Sequence, residues 1–232
     1  MGGRAIVLIG PGRHFGVELV RRFASEGYAV AVVGSRPDRL HALELELSDL
    51  GSAVHYMAAD VTEEELFRVR LETLAASLGD IEGMIYNPKF SVAGSALEVT
   101  PSDFNQAMAV NATGALVAIQ AIIPFLRSRR RCVILTGGGY KDRPHSQKFA
   151  LSMGKAILHS LFETLKPILR KRGIQLKTVI IDGAIRRDGP PEMSAEAIAE
   201  FYWEIFSGGK QATYRFPAAG IRSDTQQLKL AV

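Results

Sequence analysis

The chain has 232 residues, and its composition of 47% hydrophobic and 22% charged residues is typical of a globular protein with a substantial core. The formal charge of +4 is small, and the densest basic cluster, Arg127 with residues 129–131, has no interleaved aromatic residues, which argues against a nucleic-acid-binding protein. The single cysteine, Cys132, excludes an internal disulfide framework and lies in an apolar run typical of a core strand.

Membrane and export signals are not indicated by the sequence. The longest apolar stretch, residues 112–126, is shorter than a bilayer requires and contains Pro124. The first residues lack the pattern of a secretory signal peptide. We therefore expect a cytoplasmic protein without a membrane span.

Residues 5–27 predict a strand, a glycine turn and a helix that Gly27 ends. Residues 5–9 form an apolar run typical of a strand that is buried on both faces, and Gly10, Gly12 and Gly16 follow it. From Phe15 onward the apolar residues recur at helical spacing. Glycines let a ligand approach the backbone closely, and the N-terminus of a helix offers free N–H groups to a diphosphate. The pattern favours a nucleotide site, but a plain strand-to-helix connection would have the same pattern.

Strands and helices alternate along the rest of the chain. Apolar runs predict further strands at residues 28–34, 53–59, 81–86, 131–135 and 174–181. Helical spacing and capping residues predict helices at residues 37–50, from Thr62 onward, and at 101–130, 147–171 and 194–206. This order predicts one α/β domain, a doubly wound Rossmann fold with a parallel sheet of six or seven strands and helices on both faces. Ligands are expected at the carboxyl ends of the strands.

The order and spacing of several short motifs resemble the short-chain dehydrogenase/reductase family over nearly the whole chain. The turn I-G-P-G-R-H-F-G from Ile9 is similar to the family's T-G-x-x-x-G-x-G, and Asp60-Val61 resembles its adenine-contacting pair. Asn87 matches one residue of the family's N-N-A-G motif. The residues expected to contact the cofactor are Gly10, Gly12, Arg13, His14, Phe15, Gly16, Ser35, Arg36, Asp60, Val61, Asn87, Lys155, Gly183 and Ile185.

The resemblance departs from the family at two catalytic positions. Asn111 resembles the active-site asparagine, although it could equally be a buried polar residue bonded to backbone. Lys155 resembles the lysine of Y-x-x-x-K, but the tyrosine position of that motif is Leu151. By the family's spacing, its serine falls on Gly138, and the longer Y-x6-K register finds Lys148 instead of tyrosine. In the family the tyrosine gives the proton, the serine binds the substrate oxygen, and the lysine lowers the tyrosine's pKa and binds the nicotinamide ribose. Ordinary ketone reduction is therefore expected to be very slow.

Other side chains are candidates for the missing proton donor. Tyr140, directly after the glycine loop at 136–139, is the first candidate, followed by His145 and Tyr86. The predicted catalytic set is Asn111, Lys155 and Tyr140. Two interpretations remain open: an oxidoreductase with an unusual proton donor or an activated substrate, and a catalytically silent module that senses the cofactor or serves as a partner subunit.

The expected cofactor is NADP(H). Ser35 and Arg36 follow the second strand, where an acidic residue would favour NAD, and Arg13 lies at the family's other basic position. Two arginines would bind the 2′-phosphate through charge-assisted hydrogen bonds. Asp38 is discounted because it lies within the next predicted helix. No metal site is predicted, since no ligand cluster has the required spacing.

The partner expected besides a small-molecule substrate is a second copy of the chain, giving a dimer or tetramer. The two longest predicted helices have apolar residues on faces that a sheet would leave open. These residues are Ala115, Ile119, Ile122, Ile157, Leu161 and Leu165.

Overall fold

The strands of the computed structural model, which describes residues 4–12, 14–128, 130–183 and 191–217, form one parallel sheet. They are β1 (Arg4–Ile9), β2 (Ala29–Gly34), β3 (Val54–Ala58), β4 (Asp80–Tyr86), β5 (Cys132–Gly138), β6 (Gln175–Ile181) and β7 (Thr213–Phe216). Their order is β3-β2-β1-β4-β5-β6-β7, so the direction of winding reverses between β1 and β4. In such sheets a crevice opens at the carboxyl ends of the strands, beside that reversal. The predicted fold class is confirmed.

Helices cover both faces of the sheet. They are α1 (His14–Ser25), α2 (Pro37–Glu46), α3 (Glu64–Leu78), α4 (Pro101–Met108), α5 (Gly114–Ile122), α6 (Phe149–Lys171) and α7 (Ala195–Gly208). Successive residues of a strand point to opposite faces, and β1 follows this rule with every side chain from residue 5 to residue 9 buried. Ile6 and Leu8 pack with α1, α2 and α7, whereas Val7 and Ile9 pack with α3, α5 and α6. Two apolar layers, one on each face of the sheet, therefore hold β1 in place.

The helix predicted at 101–130 is instead four consecutive helical segments, and the last of them ends at Phe125. α4 and α5 are separated by a π-helical turn at Ala109–Thr113, and a 3-10 turn at Ile123–Phe125 ends the segment. Pro124 lies in this last turn, where its missing N–H is tolerated. By length and composition, Pro101–Phe125 could cross a bilayer, contrary to our expectation that the apolar stretch was too short. Half of its most apolar window is buried in the fold, and the core helix of a soluble protein passes the same test.

Other predicted boundaries also need correction. β5 extends to Gly138, so residues 136–138 are strand, not loop. α3 begins at Glu64 and its cap is Glu63, because the Thr62 hydroxyl donates to the Asp60 side chain instead of capping the helix. α2 ends at Glu46 and continues as a 3-10 turn at Ser48–Ala53.

The apolar faces expected to mediate oligomerisation are largely buried within the chain itself. Ala115, Ile119 and Ile122 are at most 1% exposed, because α5 packs between the sheet and its neighbouring helices. On α6, Ile157 is exposed, whereas Leu161 and Leu165 pack partly against the core. Three of the six residues expected at an interface between copies are therefore buried within the chain. Oligomerisation stays a prediction.

β6, the strand beside the β7 edge of the sheet, contains a buried lysine. The Lys177 ammonium on β6 donates to the carbonyls of Ile205 (2.6 Å) and Gly209 (2.8 Å), at the end of α7. The Ile205 carbonyl also accepts from the backbone N–H of Gly209 (3.2 Å), and a cation at this helix end is favoured by the helix dipole. Lys177 thus joins α7 to the sheet at the position where the chain leads into β7.

Candidate functional site

A cleft of about 1200 Å³ opens along the carboxyl ends of the strands. β1 lies at its centre, with residues following β2 and β3 on one side and residues following β4, β5 and β6 on the other. Among the described lining residues, six are Lys or Arg and two are Asp, so the walls are positively charged. The predicted site residues that line it are Gly10, Gly12, His14, Phe15, Ser35, Arg36, Asp60, Val61, Asn87, Tyr140, Lys155 and Gly183.

The glycine turn between β1 and α1 forms the floor of the cleft. Gly10 and Gly12 have φ of +72° and +71°, a conformation that side chains rarely adopt. A Cβ at Gly10 would lie 2.6 Å from the backbone nitrogen of Pro88, and one at Gly16 would lie 2.2 Å from the carbonyl oxygen of Pro11. A Cβ at Gly12 would meet no atom within 4 Å, because this position faces the open cleft. Gly16 is therefore a packing residue, and Gly12 is where the backbone is open to a ligand.

Asn87 holds this turn in place. Its backbone N–H donates to the carbonyl of Ile9 (2.9 Å), and its side-chain amide donates to the carbonyl of Gly10 (2.7 Å). The residue thereby ties the end of β4 to the end of β1, across the reversal of the sheet. Asn87 therefore positions the glycine turn. Its sequence position after a strand could not show whether it would contact a ligand or hold the turn.

On the β2 side of the cleft, acidic and basic residues are arranged close together. The Asp60 Oδ1 atom accepts hydrogen bonds from the Thr62 backbone N–H (2.9 Å) and hydroxyl (2.8 Å). The guanidinium of Arg36 forms a 2.6 Å ion pair with Asp38, which lowers the pKa of that carboxyl chiefly through the hydrogen bond. Both partners are more than half exposed, so water weakens this pair. Arg39, one helical turn further, also lines the cleft.

Lys155 lies at the other end of the cleft and is 6% exposed. Its ammonium donates to the carbonyl of Thr136 (2.8 Å), and within the described residues no carboxylate lies within ion-pair distance of it. Burial, with a contribution from the charge of Lys89, lowers the pKa of Lys155 to about 8. Leu151 lines the cleft one turn earlier on α6, and a Cβ at Gly138 would lie 3.5 Å from the Lys155 side chain. The three positions thus form one end wall.

Asn111 is buried away from the cleft. It lies in the π-helical turn, where its side-chain amide donates to the carbonyl of Phe90 (2.8 Å) and its oxygen accepts from the Phe90 N–H (3.2 Å). Both ends of the amide are therefore engaged by backbone, which is the second of the two alternatives for Asn111. Among the described residues it is not part of the cleft wall, where the catalytic alternative would place it. Its observed contact ties the loop after β4 to the helices beneath it.

The three candidate proton donors differ in position. Tyr140 lines the cleft, and its ring meets that of His145 edge-on at 6.2 Å, while His145 is exposed and does not line the cleft. Tyr86 is fully buried and donates to the carbonyl of Val110 (2.7 Å). Burial raises the pKa of Tyr86 well above its usual value, which disfavours proton transfer from it. Tyr140 is thus the candidate placed where a bound ligand could meet it.

Several lining residues were not anticipated from the sequence. Two residues that the sequence did predict to contact the cofactor, Arg13 and Ile185, lie outside the described residues. Lys89, Arg143 and Lys148 line the cleft on the β4 and β5 side. Residues 86–89 were expected at the ligand-binding edge, but no role was assigned to Lys89, and no role was assigned to Arg143 or Lys148. The available signal was their position, because Lys89 follows β4 directly and Lys148 immediately precedes α6.

The strand order, the reversal beside β1 and the glycine turn at its end define a Rossmann-type α/β protein. The family model for short chain dehydrogenases matches residues 4–186, and the chain belongs to this family. Serine 3-dehydrogenase of Rhizobium radiobacter is 29% identical over 180 residues, which cover 75% of this chain and 69% of that protein.

Solved structures show the same fold. L-sorbose reductase from Gluconobacter frateurii, solved with NADPH and L-sorbose, has a TM-score of 0.83 at 18% identity, and the match covers 96% of this chain and 98% of that one. A blue fluorescent protein from a metagenomic library, in complex with NADPH, has a TM-score of 0.81 at 22% identity and covers 96% and 99%. At these identities the likeness extends to the fold alone.

Proposed function

We propose that this protein is an NADP(H)-binding oxidoreductase in which Leu151 and Gly138 occupy the positions of the family's tyrosine and serine. The observation that carries the cofactor assignment is the open face of Gly12, directly before the N-terminus of α1. A backbone free of side chains at a helix N-terminus is suited to a diphosphate. The two relatives solved with NADPH support the same class of cofactor.

The remaining cleft residues fit the two ends of such a cofactor. Arg36 and Arg39 would hold the 2′-phosphate, and Asp60 with Val61 would border the adenine. Lys155 would hold the nicotinamide ribose, its ammonium fixed by the Thr136 carbonyl. When bound, the nicotinamide supplies or accepts a hydride.

The cofactor assignment predicts that Gly12→Ala weakens NADPH binding about tenfold or more, because a methyl group would occupy the open face. Gly27→Ala is the matched control, since Gly27 has a similar φ of +80° and lies away from the cleft. Both changes should cost about 1 kcal/mol of folding stability through backbone strain. Calorimetric titration with NADPH separates the two, and equal loss of affinity in both variants would contradict the assignment.

If the protein prefers NADP(H) over NAD(H), removing either partner of the Arg36–Asp38 ion pair should change NADPH affinity, and the two changes should be in opposite directions. Arg36→Ala should reduce NADPH affinity about tenfold and leave NADH affinity unchanged, because only the 2′-phosphate needs the guanidinium. Asp38→Asn should increase NADPH affinity, since it releases Arg36 from its present partner. Arg21→Ala, which breaks a comparable pair with Asp49 outside the cleft, is the control. NADH binding as tight as NADPH in the unaltered protein would rule the preference out.

With Leu151, Gly138 and Lys155 as the end wall of the cleft, proton transfer to a substrate carbonyl should be slow. The Leu151 side chain has no proton to give, and Gly138 has no side-chain donor for a substrate oxygen. Tyr140 is the described side chain on the wall best able to replace the acid, and Tyr140→Phe tests it. If NADPH binds but no carbonyl compound is reduced, the second interpretation, a silent cofactor-sensing or partner-binding module, takes its place.

A further inference from the structure

The cations of the cleft form two groups on either side of β1. Arg36 and Arg39 follow β2, whereas Lys89 follows β4, Arg143 follows β5, and Lys148 and Lys155 belong to α6 and its cap. The first group and the glycine turn account for the phosphates of a dinucleotide. Under the proposed function, the second group lies at the nicotinamide end, where the cofactor itself has no phosphate.

Little negative charge balances this second group. Within the described residues the lining carboxylate on this side is Asp182, and it is paired with Arg143 (3.4 Å) and Arg215 (2.6 Å). In the same part of the chain, Lys89, Lys148 and Lys155 form no ion pair. Unpaired like charges on one wall repel each other, as the effect of Lys89 on Lys155 shows.

Lys89 and Lys148 line the same cleft, and backbone contacts attach the loop that contains Lys89 to the start of α6. The loop that begins after β4 bridges to the start of α6, where Gly94 N–H donates to Gln147 (3.2 Å) and Phe149 N–H donates to Gly94 (3.4 Å). Phe90, next to Lys89, is fixed by Asn111. Lys148 caps α6 without using its side chain in the cap, so its ammonium is not required for folding there.

We propose, resting on the proposed function, that the substrate carries a carboxylate or phosphate group that Lys89 and Lys148 bind at the nicotinamide end of the cleft. An anion at this position would relieve the repulsion among the lysines and form charge-assisted hydrogen bonds. Lys155, deeper in the wall, remains available to the ribose. The substrate class is therefore a small anionic carbonyl or hydroxy compound.

The test uses probe pairs that differ chiefly in charge: acetoacetate with methyl acetoacetate, and dihydroxyacetone phosphate with dihydroxyacetone. Binding is measured by calorimetry on the protein alone and on the protein saturated with NADP⁺. The anionic member of at least one pair should bind about tenfold tighter than its neutral partner, and added salt should reduce this difference. Which pair responds distinguishes a carboxylate from a phosphate.

Lys89→Gln with Lys148→Gln should abolish the difference, whereas Lys171→Gln, an exposed lysine at the other end of α6, should preserve it. Equal binding or no binding of both members of each pair overturns the proposal, as does a charge preference that survives the double change. Anion binding without NADP⁺ binding would instead support the anion site and refute the proposed cofactor.

Discussion

Leu151→Tyr combined with Gly138→Ser should raise NADPH-dependent turnover of a generic carbonyl compound by about 100-fold or more over the unaltered protein. A positioned general acid contributes about 10²–10⁴ and an oxyanion donor about 10²–10³. Each single change should do much less, because such groups act as a unit. Gly138 has an extended backbone that any residue adopts, and its Cβ would meet only ordinary contacts, so a serine fits there. NADPH oxidation is followed in both singles and the double.

The matched control for this experiment is Leu151→Phe with Gly138→Ala, which adds nearly the same volume without the hydroxyl groups. It separates proton transfer from a change in shape of the end wall. Equal gains in the control and the hydroxyl-bearing double would show that shape is responsible. Fast turnover by the unaltered protein that is lost in Tyr140→Phe would identify Tyr140 as the acid. It would contradict the expectation that Leu151 and Gly138 make carbonyl reduction slow.

Lys155→Met should raise the stability of the cofactor-free protein by about 2 kcal/mol at neutral pH, or about 4–8 °C in Tm. The lowered pKa of Lys155 means that its charged form is destabilised in the folded state by about 3 kcal/mol below pH 8. Removing this buried charge should stabilise the fold by that amount, but losing the hydrogen bond to the Thr136 carbonyl should cost about 1 kcal/mol. The same change should greatly weaken NADPH binding, so stability and ligand affinity move in opposite directions.

The pH dependence of this effect has a defined sign. Between pH 8 and 10.5 the unfolded lysine holds a proton that the folded one has lost, so the native protein gains stability relative to the variant as pH rises. Lys177→Met is the contrasting control. Burial lowers the pKa of Lys177 too, but its ammonium donates to two carbonyls, of Ile205 and of Gly209 at the C-cap of α7, so its loss should destabilise the fold. Thermal unfolding at pH 7 and pH 10 measures both, and a constant stability difference between Lys155→Met and the native protein would refute the assignment.

Patterns with strong local physical causes were predictable from the sequence. Continuous apolar runs and the glycine turn indicated the first six strands and the edge where the cleft lies. β7 was not located, because Thr213–Phe216 is short and only its last residue is fully buried. The π-helical turn at Ala109–Thr113 has no signature in residue spacing, since it interrupts an otherwise continuous helical pattern.

At the site, sequence position indicated which residues meet but not what they do. Asp38 was discounted because it lies within a helix, yet the first turn of α2 places its carboxylate against Arg36. Asn87 and Asn111 were expected near a ligand. The amides of both are bonded to backbone carbonyls, and Asn87 lines the cleft whereas Asn111 does not. Such partners are distant in the chain and depend on the packed fold, so no spacing rule could have identified them.

The loop after β4 is attached at two points, at Phe90 through Asn111 and at Gly94 through the start of α6. Residues 91–93 between these attachments form no side-chain hydrogen bond in the described part of the chain, and Ser91 lines the cleft. Substitutions there can accumulate without unfolding the domain. This rim is a natural starting point for selecting variants with altered substrate range, since its ends stay fixed while its surface changes.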